Sequence, residues 1–152
     1  MRDLKFQRWF ILSCGPIFGL TGTAKLISLF GHAKVLALDD PILGIPFRHL
    51  MLLIGSAELI LAFFCLYTDN DNHALALIAW LATSFAGYRF GLWWLGWKVP
   101  CVCMGNLTDA LALPPTFVDL AMKATLLYLL IGSYSLLFIL KKNRSREMLN
   151  ET

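Results

Sequence analysis

The chain has 152 residues, of which 58% are hydrophobic and only 15% are charged, and its mean hydropathy is +0.66. An ordinary soluble domain carries about 25% charged residues, and a small domain leaves a large share of its surface in water. The net charge of +3 is modest and lies mostly near the two ends, which indicates contact with a membrane surface. The composition therefore excludes a soluble enzyme, a disordered tail and a nucleic-acid-binding module, and it indicates an integral membrane protein.

Four apolar stretches are each long enough to cross the hydrocarbon core of a bilayer, which needs about 20 helical residues. Because an unpaired backbone amide finds no water in lipid, each stretch is predicted to be helical. The predicted spans are about 9–30, 47–67, 74–97 and 116–140. The sequence therefore predicts an all-α fold, a four-helix transmembrane bundle that forms a single domain over 1–152.

Basic residues near the span ends predict the orientation of the bundle. They concentrate at the two termini, as Arg2, Lys5, Arg8, Lys141, Lys142, Arg144 and Arg146. An even number of spans places both termini on one side, which is predicted to be the cytoplasm. The long loop 98–115 then faces outward, into the periplasm of a bacterium with this protein in its inner membrane.

Two of the four cysteines lie in that outward loop, in the run Pro100-Cys101-Val102-Cys103-Met104-Gly105. A Cys-x-Cys pair closes only through a small, bent ring, and such strain makes a disulfide easy to exchange. Cys101 and Cys103 are therefore predicted to form an exchangeable dithiol. Two alternatives remain open: a structural disulfide, or a soft-metal site for Cu(I) with Met104 and either His32 or His49 as further ligands.

Five ionisable residues fall within the predicted spans: Lys25, Glu58, Arg89, Asp119 and Lys123. Each costs about 2.5–3.5 kcal/mol at a helix centre, so each needs a reason to be there. Counting along the helices places all five toward the side of the cysteine loop. One interpretation is that Glu58 pairs with Lys25 or Arg89 and holds the bundle together. The other is that the cluster lines an outward pocket that favours a cysteine thiolate or binds a polar head group such as a quinone carbonyl.

Aromatic, glycine and cysteine residues within the spans have structural interpretations. Trp93 belongs to an aromatic run at the end of the third span, where it forms either a membrane-interface belt or part of the quinone pocket. The motifs Gly15-x-x-x-Gly19 and Gly87-x-x-x-Gly91 are predicted to be helix contacts. Cys14 and Cys65 are predicted to be small apolar core residues.

Three segments together resemble the DoxX superfamily and, within it, the branch around the methylamine-utilisation protein MauE. They are Gly22-Thr23-Ala24-Lys25-Leu26, Ala57-Glu58-Leu59-Ile60-Leu61-Ala62 and Cys101-Val102-Cys103-Met104-Gly105. The third resembles the Cys-Gly-Cys-x-Gly of that branch, with Val102 in place of glycine. The resemblance implies a four-helix inner-membrane protein associated with periplasmic disulfide chemistry, a thioredoxin-like partner and the maturation of disulfide-bearing dehydrogenase subunits. Other members are associated with quinone-linked sulfur oxidation.

The sequence thus favours a membrane thiol–disulfide relay. Cys101 and Cys103 are its expected catalytic residues, and a quinone is its candidate cofactor, held near Lys25, Glu58, Arg89 and Trp93. The alternative is a non-catalytic assembly or scaffold subunit of a larger membrane complex. A copper-handling role is a third hypothesis.

Overall fold

The computed structural model of the chain describes residues 2–30, 36, 38–68, 70–96 and 115–150. Within these residues the fold is built from α-helices: α1 is Arg2–Ser28, α2 is Phe47–Tyr67, α3 is Asp71–Trp94 and α4 is Pro115–Asn150. Each contains a segment long and apolar enough to cross a membrane, namely Lys5–Ser28, Phe47–Tyr67, Asp71–Trp94 and Phe117–Lys142. The predicted all-α class and the four potential membrane-spanning helices are therefore confirmed, whereas the orientation of the termini stays a prediction.

Proline and glycine residues mark the beginning of α2 and the end of α3. Pro46 precedes α2 with an extended backbone (φ −56°, ψ 135°). A proline also disfavours helix for the residue before it, so the helix begins only after Pro46. Gly96 follows α3 with φ +66°, and its N–H donates to the carbonyl of Trp93. A glycine in the left-handed conformation is a common helix terminator. Helices α1 and α4 extend beyond the predicted spans through the basic segments at both termini.

The closest helix contact is between α1 and α2, which run antiparallel. A Cβ atom added to Gly22 would lie 2.9 Å from the carbonyl oxygen of Gly55, and one added to Gly15 would lie 2.8 Å from the side chain of Leu66. Small residues at these points let the two backbones approach, which strengthens packing between membrane helices. The predicted contact at Gly15-x-x-x-Gly19 is confirmed, since Gly19 faces Ala62 of α2.

The bundle consists of two helix pairs, α1 with α2 and α3 with α4, which meet mainly through contacts of α3 with α1 and α2. Their shared core includes Cys14 and Cys65, which are free thiols with no exposed surface. The prediction that these two cysteines are core residues is therefore confirmed. Helix α4 is the least enclosed of the four, with only 17% of its most apolar window buried.

The second glycine motif does not form the predicted helix contact. A Cβ added to Gly91 would meet the Ile42 side chain, which belongs to the connection between α1 and α2, whereas one added to Gly87 would meet no described residue within 4 Å. Among the described residues, the glycines of this motif therefore contact a loop and not another helix, and the predicted helix contact was wrong.

At the opposite end of the bundle, Arg8 donates a hydrogen bond to the Thr68 carbonyl and forms an ion pair with Asp71. These contacts tie α1 to the turn between α2 and α3.

A candidate functional site at one end of the bundle

The intramembrane charges gather at the end of the bundle where α1 and α3 finish and α2 and α4 begin. Both long connections, 29–46 and 95–114, join helices at this end. The second connection contains Cys101 and Cys103, which lie outside the described residues. The described helices therefore fix the end of the bundle to which the cysteine loop is attached.

Lys25 and Glu58 form a buried ion pair across the α1–α2 contact. Lys25 Nζ lies 2.7 Å from both carboxylate oxygens of Glu58, and the side chains are only 7% and 2% exposed. The ammonium group also lies 5.9 Å from the centre of the Phe85 ring on α3. The sequence left Lys25 and Arg89 open as partners of Glu58, and the close approach at Gly22 and Gly55 brings Lys25 to it.

Arg89 pairs with Asp119 and not with Glu58. Its Nη2 lies 2.5 Å from Asp119 Oδ1, and Lys123 Nζ lies 2.6 Å from Asp119 Oδ2. The cluster links the end of α3 to the beginning of α4. It is more open than the Lys25–Glu58 pair, since the Lys123 side chain is 60% exposed.

Asp40 and Tyr88 form a third polar contact at this end. Asp40 is buried, and its Oδ1 accepts hydrogen bonds from the N–H groups of Ile42 and Leu43. Its Oδ2 accepts a hydrogen bond from the hydroxyl of Tyr88 on α3. The turn that contains Asp40 is thereby fastened to α3.

A cavity of about 100 Å³ lies within this ring of polar contacts. Lys25, Tyr88 and Arg89 are its polar lining residues, and the remaining walls are apolar. Those walls are Phe47, Leu50, Met51 and Ile54 of α2, Phe85 of α3, and Met122 and Leu126 of α4. An apolar body with a few polar groups is the kind of lining that ligand sites have, although this cavity is smaller than the roughly 300–1,000 Å³ of a site for a drug-sized ligand.

The four residues proposed for the pocket differ in their positions. Lys25 and Arg89 line the cavity, whereas Glu58 is not among the lining residues and holds Lys25 in place. Trp93 is also not a lining residue, and it is 73% exposed among the aromatic side chains at the end of α3. Its ring contacts that of Phe90 in a tilted arrangement, with the ring centres 5.7 Å apart.

Sequence reasoning missed the contributions of Asp40 and Tyr88. Asp40 lies in a polar loop segment, where a carboxylate is usually solvated, and Tyr88 is one of several aromatic residues near the end of a span. The available signal was Asp40 followed by Pro41 and Gly44, a composition typical of a turn closed by an aspartate side chain. Nothing in the sequence indicated that Tyr88 would contact that turn.

The described residues contain no group of three His, Cys, Asp or Glu side chains placed to hold a metal ion. His49 is exposed near the beginning of α2. The other proposed copper ligands, Cys101, Cys103, Met104 and His32, lie outside the described residues.

The chain was compared with protein families, curated proteins and solved structures. No protein-family model, no curated protein and no solved structure matches this chain.

Proposed function

We propose that this chain is a membrane thiol–disulfide relay in the bacterial inner membrane, similar to the MauE-like branch of the DoxX superfamily. Cys101 and Cys103 exchange disulfides with a periplasmic thioredoxin-like protein and so support the maturation of a disulfide-containing protein. The observation that carries the proposal is the Cys-x-Cys pair in the α3–α4 connection, which joins helices at the same end of the bundle as the cavity with Lys25 and Arg89.

The exchange conserves sulfur, electrons and protons. A thiolate of the pair attacks one sulfur of the partner's disulfide, which forms a mixed disulfide and releases the partner's other sulfur as a thiolate. The second cysteine attacks the mixed disulfide, so that the Cys101–Cys103 pair becomes a disulfide and the partner becomes a dithiol. Two electrons pass from the pair to the partner, and the reverse sequence oxidises the partner instead.

A membrane quinone is the proposed redox partner on the lipid side. Oxidation of the dithiol by a quinone gives the disulfide and a quinol, with transfer of two electrons and two protons. That disulfide then oxidises a partner dithiol by the reverse exchange, which regenerates the Cys101/Cys103 dithiol. A quinone head group is flat and apolar and carries two carbonyl oxygens. Phe47 and Phe85 in the cavity wall suit its ring, and the guanidinium group of Arg89 suits a carbonyl oxygen. Lys25 also lines the cavity, but its ammonium group is engaged by Glu58.

The experiment that tests the relay is a measurement of the Cys101/Cys103 potential in purified protein, by thiol trapping across a dithiothreitol series. A relay is expected to fall within the range of exchange proteins, roughly −120 to −270 mV. A value below about −300 mV is that of a structural disulfide and would contradict the proposal.

A trapping experiment addresses the partner. Cys103→Ser leaves Cys101 without its resolving thiol, so a mixed disulfide with the periplasmic partner should accumulate and disappear on reduction. Cys14→Ser and Cys65→Ser are matched controls, because both thiols are fully buried in the helical core and are expected to leave the exchange unchanged. If Cys101 and Cys103 can both be replaced without loss of disulfide maturation in the cell, the relay proposal is wrong.

The second candidate function is a scaffold subunit of a larger membrane complex. Helix α4 supports it, because large apolar side chains such as Leu127, Ile131 and Phe138 are more than half exposed and form a surface for lipid or another subunit. A potential below about −300 mV together with stable co-purification of one complex would favour this function.

A further inference from the structure

The cluster of Arg89, Asp119 and Lys123 holds two cations and one carboxylate. Arg89 occupies Asp119 Oδ1 and Lys123 occupies Asp119 Oδ2, so both oxygens are already engaged. Within the part of the chain that the structure describes, neither cation has another ion-pair partner. Counted over the described residues, the cluster therefore carries one positive charge more than it balances, whereas Lys25 and Glu58 balance each other.

The positive charge of Lys123 lies on the outer surface of the bundle. The Lys123 side chain is 60% exposed and lies between Leu120 and Leu127, which are also exposed. Residues three and four apart share one face of a helix, so Lys123 lies within an apolar stripe of α4. Met122 and Leu126 line the cavity instead. The stripe is therefore separate from the cavity, and Arg89 is the residue that the charged cluster and the cavity lining share.

The position along the helices matches the depth of lipid head groups. Arg89 lies five residues before the end of α3 and Asp119 four residues after the beginning of α4, or about 6–8 Å from the helix ends at 1.5 Å per residue. Helical side chains point toward the N-terminus of their helix. The Lys123 ammonium accordingly lies one turn back, at Asp119, toward the end of the bundle.

We propose that Arg89 and Lys123 bind the phosphate of an anionic phospholipid in the leaflet at this end of the bundle. The acyl chains then lie against the apolar stripe that includes Leu120 and Leu127. An arginine fork and an ammonium group both donate charge-assisted hydrogen bonds to phosphate oxygens, and the lipid's negative charge balances the cluster. The assignment does not depend on the thiol chemistry of Cys101 and Cys103.

The test is native mass spectrometry of delipidated protein in neutral detergent, titrated with phosphatidylglycerol or with phosphatidylcholine of the same chains. Phosphatidylglycerol is expected to bind about fivefold more tightly, since one basic side chain near an anionic lipid contributes roughly that factor. Lys123→Gln should abolish the preference, and Lys123→Arg should keep it. Arg48→Gln, which removes an exposed charge at the same end, should also keep it.

Three results would overturn the assignment. Equal affinity of the wild-type protein for the two lipids would mean that the cluster does not attract an anionic head group. A preference that survives in folded Lys123→Gln, with unchanged helical circular dichroism, would place the lipid elsewhere. Displacement of phosphatidylglycerol by millimolar inorganic phosphate would identify a site for a soluble anion instead of a lipid.

Discussion

Replacing Glu58 with glutamine should destabilise the bundle because it leaves the Lys25 ammonium buried without its counter-charge. The native pair has both carboxylate oxygens 2.7 Å from Lys25 Nζ, and neither side chain is more than 7% exposed. Removal of one member of such a pair costs about 3–5 kcal/mol. We expect the lower end of that range for Glu58→Gln, since the amide oxygen still accepts one hydrogen bond, and the upper end for Lys25→Met.

The double variant Lys25→Met/Glu58→Leu distinguishes the effect of the ion pair on stability from the effect of side-chain packing. Replacing both charges by apolar side chains of similar volume is often neutral or stabilising, so the double variant should recover most of the stability lost in each single variant. The expected coupling energy is therefore at least about 2 kcal/mol. The assay is reversible unfolding in mixed micelles, followed by helical circular dichroism.

The partly exposed pair of Arg8 and Asp71 provides the control. Its side chains are 33% and 24% exposed, and breaking such a pair should cost about 1 kcal/mol or less. If the double variant at Lys25 and Glu58 loses as much stability as the sum of the single variants, the two charges do not stabilise each other and the reasoning is wrong. Breaking the Arg8–Asp71 pair and breaking the Lys25–Glu58 pair should not cost the same free energy of unfolding, and equal losses would contradict the reasoning as well.

Three further predictions concern packing and access. Asp40→Asn should weaken the anchor of the 38–46 turn on Tyr88 by about 1–2 kcal/mol, seen as faster amide hydrogen exchange in that turn and contradicted by an unchanged rate. Gly22→Val should lower stability by about 2 kcal/mol or more, because its Cβ would lie 2.9 Å from a backbone oxygen of α2. Gly87→Ala, whose added methyl group would meet no described residue within 4 Å, should not be destabilising, and equal losses of stability in the Gly22 and Gly87 variants would refute the helix contact at Gly22. Cys14 and Cys65 should resist a thiol reagent until the protein is unfolded, and labelling of the native protein would contradict their burial.

The four spans could be predicted from the sequence because the bilayer imposes a length and an apolar composition on each helix. The ion-pair partners of the buried charges could not be predicted from the sequence. Glu58 has cations on two other helices at similar depth, and only the register of α1 against α2 selects Lys25. That register depends on contacts such as Gly22 with Gly55, whose geometry is not visible in the spacing of residues along one helix.

The cavity was predicted in its location but not in its composition. Charges that cluster toward one end indicated a polar site there, and Lys25 and Arg89 do line it. The apolar walls come from side chains on α2 and α4, which are hydrophobic like most residues of a span and therefore carry no distinguishing pattern. For Trp93 the sequence left two interpretations, a membrane-interface belt and a ligand-facing ring, and its exposed side chain favours the interface.

The ion pairs at this end of the bundle give Lys25 and Arg89 different expected roles. Lys25 is committed to both oxygens of Glu58, so substitutions at either residue should act mainly through folding. Arg89 shares its only described carboxylate with Lys123, which leaves guanidinium donors free to face a ligand in the cavity. A ligand-binding defect without loss of stability is therefore expected first at Arg89, and Arg89→Gln with its unfolding curve measured in parallel is the variant that distinguishes a polar site from a structural ion pair.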